Sequence, residues 1–207
     1  MELFNIPNSL TLLRILLVPV FSYFFLTGNY RLALGIFIVT GFTDMVDGAL
    51  ARWLKKKTTL GAVLDPAADK LLMLVTFLIL ALEKVVPWYL TILVVARDLW
   101  IVGGLFFLKK AKKKLYFQPT RISKANTFFQ LLTIFLAFLW VLAGSEPGTF
   151  LASKQALISQ GLGMAILVTA GMTILSGIQY TRIGWMILRG NREYADLPLK
   201  KAQDRRQ

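Results

Sequence analysis

TDMVDGALARWLKKKTTLGAVLDPAADK, residues 43–70, places four aspartates between two long apolar runs. Asp44 and Asp47 end one run; Asp65 and Asp69 begin the next. An ionised carboxylate beside hydrocarbon is costly, so a group of them there marks function. The chain has 11 acidic residues. Glu2, Glu83, Glu146, Glu193, Asp196 and Asp204 fall at the termini or in short polar connections, which leaves these four and Asp98 in apolar surroundings. Asp44, Asp47, Gly48, Ala51 and Arg52 recur at i, i+3, i+4, i+7 and i+8, one face of a helix. Gly61, Asp65 and Asp69 recur at i, i+4 and i+8, again one face. A short basic loop joins the two helices, so the spacing predicts antiparallel neighbours whose acidic faces meet at one end of a bundle. The chain has no His and no Cys. Four carboxylates without nitrogen or sulfur donors suit two hard divalent cations, Mg or Mn. Pairing with Arg52 and Lys70 is the structural alternative, but two cations cannot neutralise four acids. Paired metals suit displacement at phosphorus, because they stabilise the attacking and leaving oxygens together. Gly48, Ala51 and Gly61 leave room for a bulky ligand or for a neighbouring helix.

Outward from that stretch the chain reads as a membrane protein. Apolar residues make up 56% of the sequence, and the mean hydropathy is +0.61, above the range of soluble domains. Apolar segments near residues 9–26, 32–51, 62–82, 88–108, 126–143 and 157–181 approach the roughly 20 residues that cross a bilayer. The expected fold is all-α, an integral membrane bundle of six transmembrane helices. The first segment holds Arg14 and lacks a small-residue cleavage site, so it reads as a span and not as a signal peptide. Gly28 and Asn29 separate the first two segments, Pro87 opens the fourth, and Gly144, Pro147 and Gly148 mark the turn before the sixth. Residues 1–190 are expected to form a single membrane domain, with a polar basic tail over 191–207. Without Cys there are no disulfides, and without His a carboxylate must serve as any general base.

The net charge of +13 is unevenly placed. Lys55–Lys57 follow the second segment, Lys109–Lys114 with Arg121 and Lys124 flank the fourth and fifth, and Arg182, Arg189 and the tail cations follow the sixth. The alternate connections carry only Arg31, Lys84 and Lys154. The positive-inside rule therefore predicts both termini in the cytoplasm, with the acidic face on that side. Such clusters also contact anionic membrane lipids. No nucleic-acid partner is expected, because no aromatic-rich soluble module accompanies the charge. Gly161, Gly163, Gly171 and Gly177 in the last segment permit close helix approach, within the chain or in a dimer.

The pattern Asp44-x-x-Asp47-Gly48-x-x-Ala51-Arg52, eight residues, then Gly61-x-x-x-Asp65-x-x-x-Asp69 resembles the signature of the CDP-alcohol phosphotransferases, with every fixed position present. NIPNSLTLLR, from Asn5 to Arg14, and Pro19 are similar to the bacterial phosphatidyltransferase branch. The resemblance implies transfer of a phosphatidyl group from CDP-diacylglycerol to an alcohol, with release of CMP. It implies metal binding by Asp44, Asp47, Asp65 and Asp69, with Asp69 also the general base. Gly48, Ala51, Arg52 and Gly61, with Asn8 and Thr11, would line the cytidine-diphosphate site. A homodimer in the bacterial inner membrane, with its active site facing the cytoplasm, is the family expectation.

The acceptor is expected to be of the glycerol type. Arg97, Arg121 and Lys124 offer a cationic pocket for an acceptor phosphate, which favours glycerol 3-phosphate. That subgroup usually carries Arg-Glu at the place of Arg97-Asp98, and a second Lys at the place of Asn126. The Arg-Asp pair and the string PTRISKANTFFQ, residues 119–130, resemble the cardiolipin synthases of the same superfamily, whose acceptor is phosphatidylglycerol. A six-helix cation transporter is the reading from another class. Its acids would sit near mid-membrane on broken or repeated helices, whereas these cluster at one edge and no inverted repeat is visible.

Overall fold

The computed structural model describes residues 6–53, 61–110 and 120–189. Within those ranges the side chains of 6–12, 42, 44–53, 61–69, 105, 109 and 110 lie outside the description. Every regular element among the described residues is helical: α1 (Ile6–Leu26), α2 (Tyr30–Trp53), α3 (Gly61–Leu82), α4 (Trp88–Lys110), α5 (Arg121–Ser145), α6 (Phe150–Ser153) and α7 (Gln155–Leu188). The six predicted apolar segments fall on α1 to α5 and α7. By length and composition, α4 over Trp88–Leu108, α5 and α7 can each cross a membrane. In α1, α2 and α3 the described apolar stretches are shorter, Leu13–Leu26, Tyr30–Gly41 and Lys70–Leu82.

The breaks have local causes. Gly28 and Gly148 adopt φ of 82° and 87°, left-handed turns open to glycine. Lys84 takes the same region at φ 58° and closes α3, where Val85 N–H donates to the Leu80 carbonyl at 2.8 Å. Hydropathy places two boundaries differently from the structure. α5 begins at Arg121 and not near 126, because Thr120 caps it: its hydroxyl accepts from Ser123 N–H at 3.1 Å. α7 runs on past residue 181 to Leu188, since Arg182 breaks the apolar run but not the helix. One turn of helix, α6, sits before α7, capped by Thr149, whose hydroxyl accepts from Ala152 N–H at 3.2 Å.

Two compact units divide the chain: residues 1–87 with 136–159, and residues 88–135 with 160–207. In the first, α1 packs against both α2 and α3. Its centre is aromatic. Phe138 meets Phe21, Phe25 and Phe37 at ring separations of 6.1, 5.4 and 5.7 Å, and the Phe25 contact is edge-to-face. Arg14 is buried on α1 and engaged. Arg31 and Glu146 pair at the surface.

The second unit is held differently. A polar seam joins α5 and α7, and each step of three along α5 matches a step of three back along α7. Thr120 donates to Gln179 at 2.8 Å, and Thr173 donates to Asn126 at 2.9 Å. Between these rungs Ser123 and Ser176 both accept from Arg97 of α4. Thr133 and Thr169 bond at 2.8 Å further along. Outward-facing positions of the same helices are large and apolar, among them Phe106, Phe128, Met164 and Leu167, as a lipid-facing surface requires.

Candidate active site

The backbone places the predicted acidic motif on two helices. Asp44, Asp47, Gly48, Ala51 and Arg52 lie within α2, and Gly61, Asp65 and Asp69 within the first three turns of α3. The i, i+3 and i, i+4 spacings are therefore true helical spacings. Asn8 and Thr11 lie in the first turns of α1. The side chains of all these residues fall outside the described set. Among the residues whose side chains are described, no group of three or more His, Cys, Asp or Glu gathers as a metal site; the four aspartates lie outside that set. Their donor chemistry, carboxylate oxygen alone on two helical faces, fits hard divalent cations.

The basic residues expected at the acceptor separate into two kinds. Arg97 is buried in α4 of the second unit. Its guanidinium donates to Asp98 at 2.6 Å, to Ser123 at 2.7 Å, and to Ser176 at 2.6 and 3.2 Å. The Tyr180 ring lies 5.6 Å from its central carbon. One cation thus ties α4, α5 and α7 together while Asp98 neutralises it. Arg121 and Lys124 are exposed on the first turn of α5, where the helix N-terminus adds its own partial positive charge.

The polar residues of the seam escape a reading by composition. Ser123, Thr173 and Ser176 are buried and carry the register. Their signal is a period of three: Thr120, Ser123 and Asn126 at the start of α5, and Thr173, Ser176 and Gln179 along α7. Two buried donors in this region, Asn126 Nδ2 and Gln130 Nε2, have no hydrogen-bond acceptor among the described residues. Among the described residues, the four α7 glycines singled out in sequence have no close neighbour from another helix. A Cβ built at Gly161, Gly163, Gly171 or Gly177 would meet no atom within 4 Å.

Comparison with known proteins agrees with the motif. Residues 4–172 match the CDP-alcohol phosphatidyltransferase family. The cardiolipin synthase (CMP-forming) of Rattus norvegicus is 34% identical over 146 residues, 63% of this chain and 48% of that protein. The Homo sapiens cardiolipin synthase (CMP-forming) is 33% identical over the same share of each chain. The CDP-diacylglycerol–glycerol-3-phosphate 3-phosphatidyltransferase of Wigglesworthia glossinidia brevipalpis is 32% identical over 195 residues, 90% of this chain and 98% of that protein. The chain spans about half the length of these cardiolipin synthases and nearly all of the Wigglesworthia protein. It belongs to the CDP-alcohol phosphatidyltransferase family.

Proposed function

We propose that the protein transfers the phosphatidyl group of CDP-diacylglycerol to a glycerol-type acceptor and releases CMP. The observation that carries this reading is the complete acidic motif, set at helical spacing on α2 and α3 within the family match. Asp44, Asp47, Asp65 and Asp69 would hold two Mg or Mn ions, which when bound polarise the diphosphate. Asp69 would take the proton of the acceptor hydroxyl, the role left to a carboxylate in a chain without His. Gly48, Ala51, Arg52 and Gly61, with Asn8 and Thr11, would admit and orient the cytidine diphosphate.

Glycerol 3-phosphate is the first acceptor reading. A relative named for that substrate matches nearly end to end, and Arg121 and Lys124 are exposed cations able to meet a phosphate directly. Arg97 would act through Ser123, which it holds at the same turn of α5. Phosphatidylglycerol is the second reading. It is favoured by the cardiolipin synthase relatives and by the neutralisation of Arg97 by Asp98. A phosphodiester acceptor does not require an uncompensated buried cation.

The reading includes six spans over residues 1–190, a polar tail over 191–207, both termini and the active site facing the cytoplasm, and a homodimer in the bacterial inner membrane. A topology reporter fused after Gln207 should report the cytoplasm; an opposite result removes the six-span arrangement. The activity itself is tested with purified protein in vesicles containing labelled CDP-diacylglycerol, both acceptors together, and Mg or Mn. CMP release with phosphatidylglycerophosphate as product supports the first reading. Cardiolipin alone supports the second. No CMP release with either acceptor refutes the transferase.

A further inference from the structure

Arg14 is 1% exposed on an apolar helix, and nothing said so far gives it a task. A guanidinium stays charged wherever it is placed, so a buried one needs an anion. Arg14 is engaged, and its helix packs against α2 and α3. The chain has 11 acids to choose from. In the first unit, Glu146 pairs with Arg31, Glu83 stands exposed just past the end of α3, and Glu2 precedes α1. In the second unit, Asp98 is bound by Arg97, and Glu193, Asp196 and Asp204 belong to the tail. Asp44, Asp47, Asp65 and Asp69 remain, all on the two helices that α1 touches.

Helix geometry narrows the choice. Phe25 near the end of α1, Tyr30 at the start of α2, and Glu83 and Val85 just after α3 line one hollow of about 220 Å³. The Phe25 and Tyr30 rings lie 5.2 Å apart. These three helix ends are therefore level, and heights can be counted back from them. At a rise of ~1.5 Å per residue, Asp44 on α2 lies roughly 21 Å from Tyr30, and Asp69 on α3 roughly 21 Å from Glu83. Asp47 and Asp65 lie about one turn farther, at roughly 26 Å. The four aspartates thus form an inner and an outer tier. Arg14 lies roughly 17 Å from Phe25, less than a turn short of the inner tier. Side chains on a helix lean toward its N-terminus, which for α1 is the motif end, and an arginine spans the remaining distance.

We propose that Arg14 is a positioning residue of the acidic site, its guanidinium pairing with the inner aspartates, Asp44 and Asp69. Four converging carboxylates repel one another until metal arrives. Arg14 balances part of that charge from a third helix and holds the inner pair in place. Either aspartate is enough to neutralise it, so the loss of one is tolerated. Loss of Arg14 leaves the whole set uncompensated. The inference rests on the reading of the four aspartates as one site, and adds to that site a residue outside its motif.

The test is thermal unfolding of the whole protein in detergent with excess chelator. Arg14→Met should lower the melting temperature by about 10 °C, the scale of a broken buried pair in a chain of this size. Arg14→Lys keeps the charge and should lose less. In the Arg14→Met background, Asp44→Asn or Asp69→Asn should each restore most of the loss, while either alone leaves the melting temperature unchanged. Asp47→Asn and Asp65→Asn, a turn farther out, should restore less. Mg or Mn in place of chelator should raise the melting temperature of Arg14→Met more than that of the wild type, because bound metal then balances the carboxylates. Three results would each overturn the proposal: effects of Arg14→Met that simply add to those of both inner substitutions, restoration that follows Asp98→Asn instead, or a metal response no larger in Arg14→Met than in a responsive wild type. If Arg14→Met yields no folded protein, a folded double variant with Asp44→Asn or Asp69→Asn supports the pairing, and two unfolded double variants refute it. The chelator arms need neither metal nor turnover. A wild type that metal leaves unshifted, or that releases no CMP, would sink the metal or the transferase reading and leave the pairing result standing.

Discussion

The two halves of α5 are stabilised by different physics. From Leu136 onward it belongs to the first unit, where Phe138 is clasped by three other phenylalanines. Up to Phe135 it belongs to the second, where Ser123, Asn126 and Thr133 hydrogen-bond to side chains of α4 and α7. In a bilayer, apolar side chains are equally at home against lipid or against protein, so shape alone selects aromatic partners. A buried hydroxyl or guanidinium has no such freedom. Away from its partner it stands unsatisfied in hydrocarbon, and the seam therefore fixes register as well as contact. The acidic motif shares a unit with the apolar centre, not with the seam. On the proposed function, chemistry and register fall to different polar residues.

The sharpest way to break this division is to exchange effects between the units. Asp69→Asn should lower kcat by roughly 10²–10⁴-fold, the usual contribution of a general base, with the melting temperature in detergent unchanged. Asp44→Asn should abolish CMP release and weaken metal dependence, again without unfolding. Full turnover by Asp44→Asn, or in excess chelator, would exclude the metal role.

In the second unit the order reverses, with stability lost first. Arg97→Ala removes the cation beside half-buried Asp98 and the link to Ser123 and Ser176, and should cost about 3–5 kcal/mol, as for other broken buried pairs. Arg97→Lys should recover only part, since an ammonium cannot span Ser123, Ser176 and Asp98 together. A melting temperature unchanged in both variants would end the view of Arg97 as a clamp.

Phe138→Ala probes the apolar centre. It should cost less than the about 3–5 kcal/mol typical of soluble cores, because lipid replaces water as the alternative environment and only packing is lost. A loss larger than that of Arg97→Ala would invert the ranking of the two regions.

Arg121→Ala and Lys124→Ala address the acceptor. Each should raise the KM of a phosphate-bearing acceptor by about 10- to 100-fold, the worth of one charge-assisted bond at roughly 1.5–3 kcal/mol, with donor KM little changed. Equal effects on both substrates would show that these residues do not sort the acceptor. The smallest effect is expected at Thr169→Val, about 0.6 kcal/mol, the average for a hydrogen bond between membrane helices. Thermal unfolding that cannot distinguish it from wild type would mean that the Thr133–Thr169 bond adds nothing to the seam.

The sequence by itself determined the helical class, the positions of the apolar segments and the acidic motif. Apolar runs near span length leave little but helices as a structure, and carboxylates beside them need a reason to exist. It also located the turns at Gly28 and Gly148, where glycine's freedom is used. Tertiary structure decided what composition could not. Arg121 joined α5 because Thr120 caps it, a bond that hydropathy does not measure. That no other described residue packs against Gly177 became visible only with the helices in place. In sequence Arg97 reads as one cation of a pocket for an acceptor phosphate, next to Asp98. The fold surrounds it with Asp98, Ser123, Ser176 and Tyr180, and three of those four come from elsewhere along α5 and α7. A guanidinium's role depends on which acceptors reach it, and chain order does not state which distant residues those are.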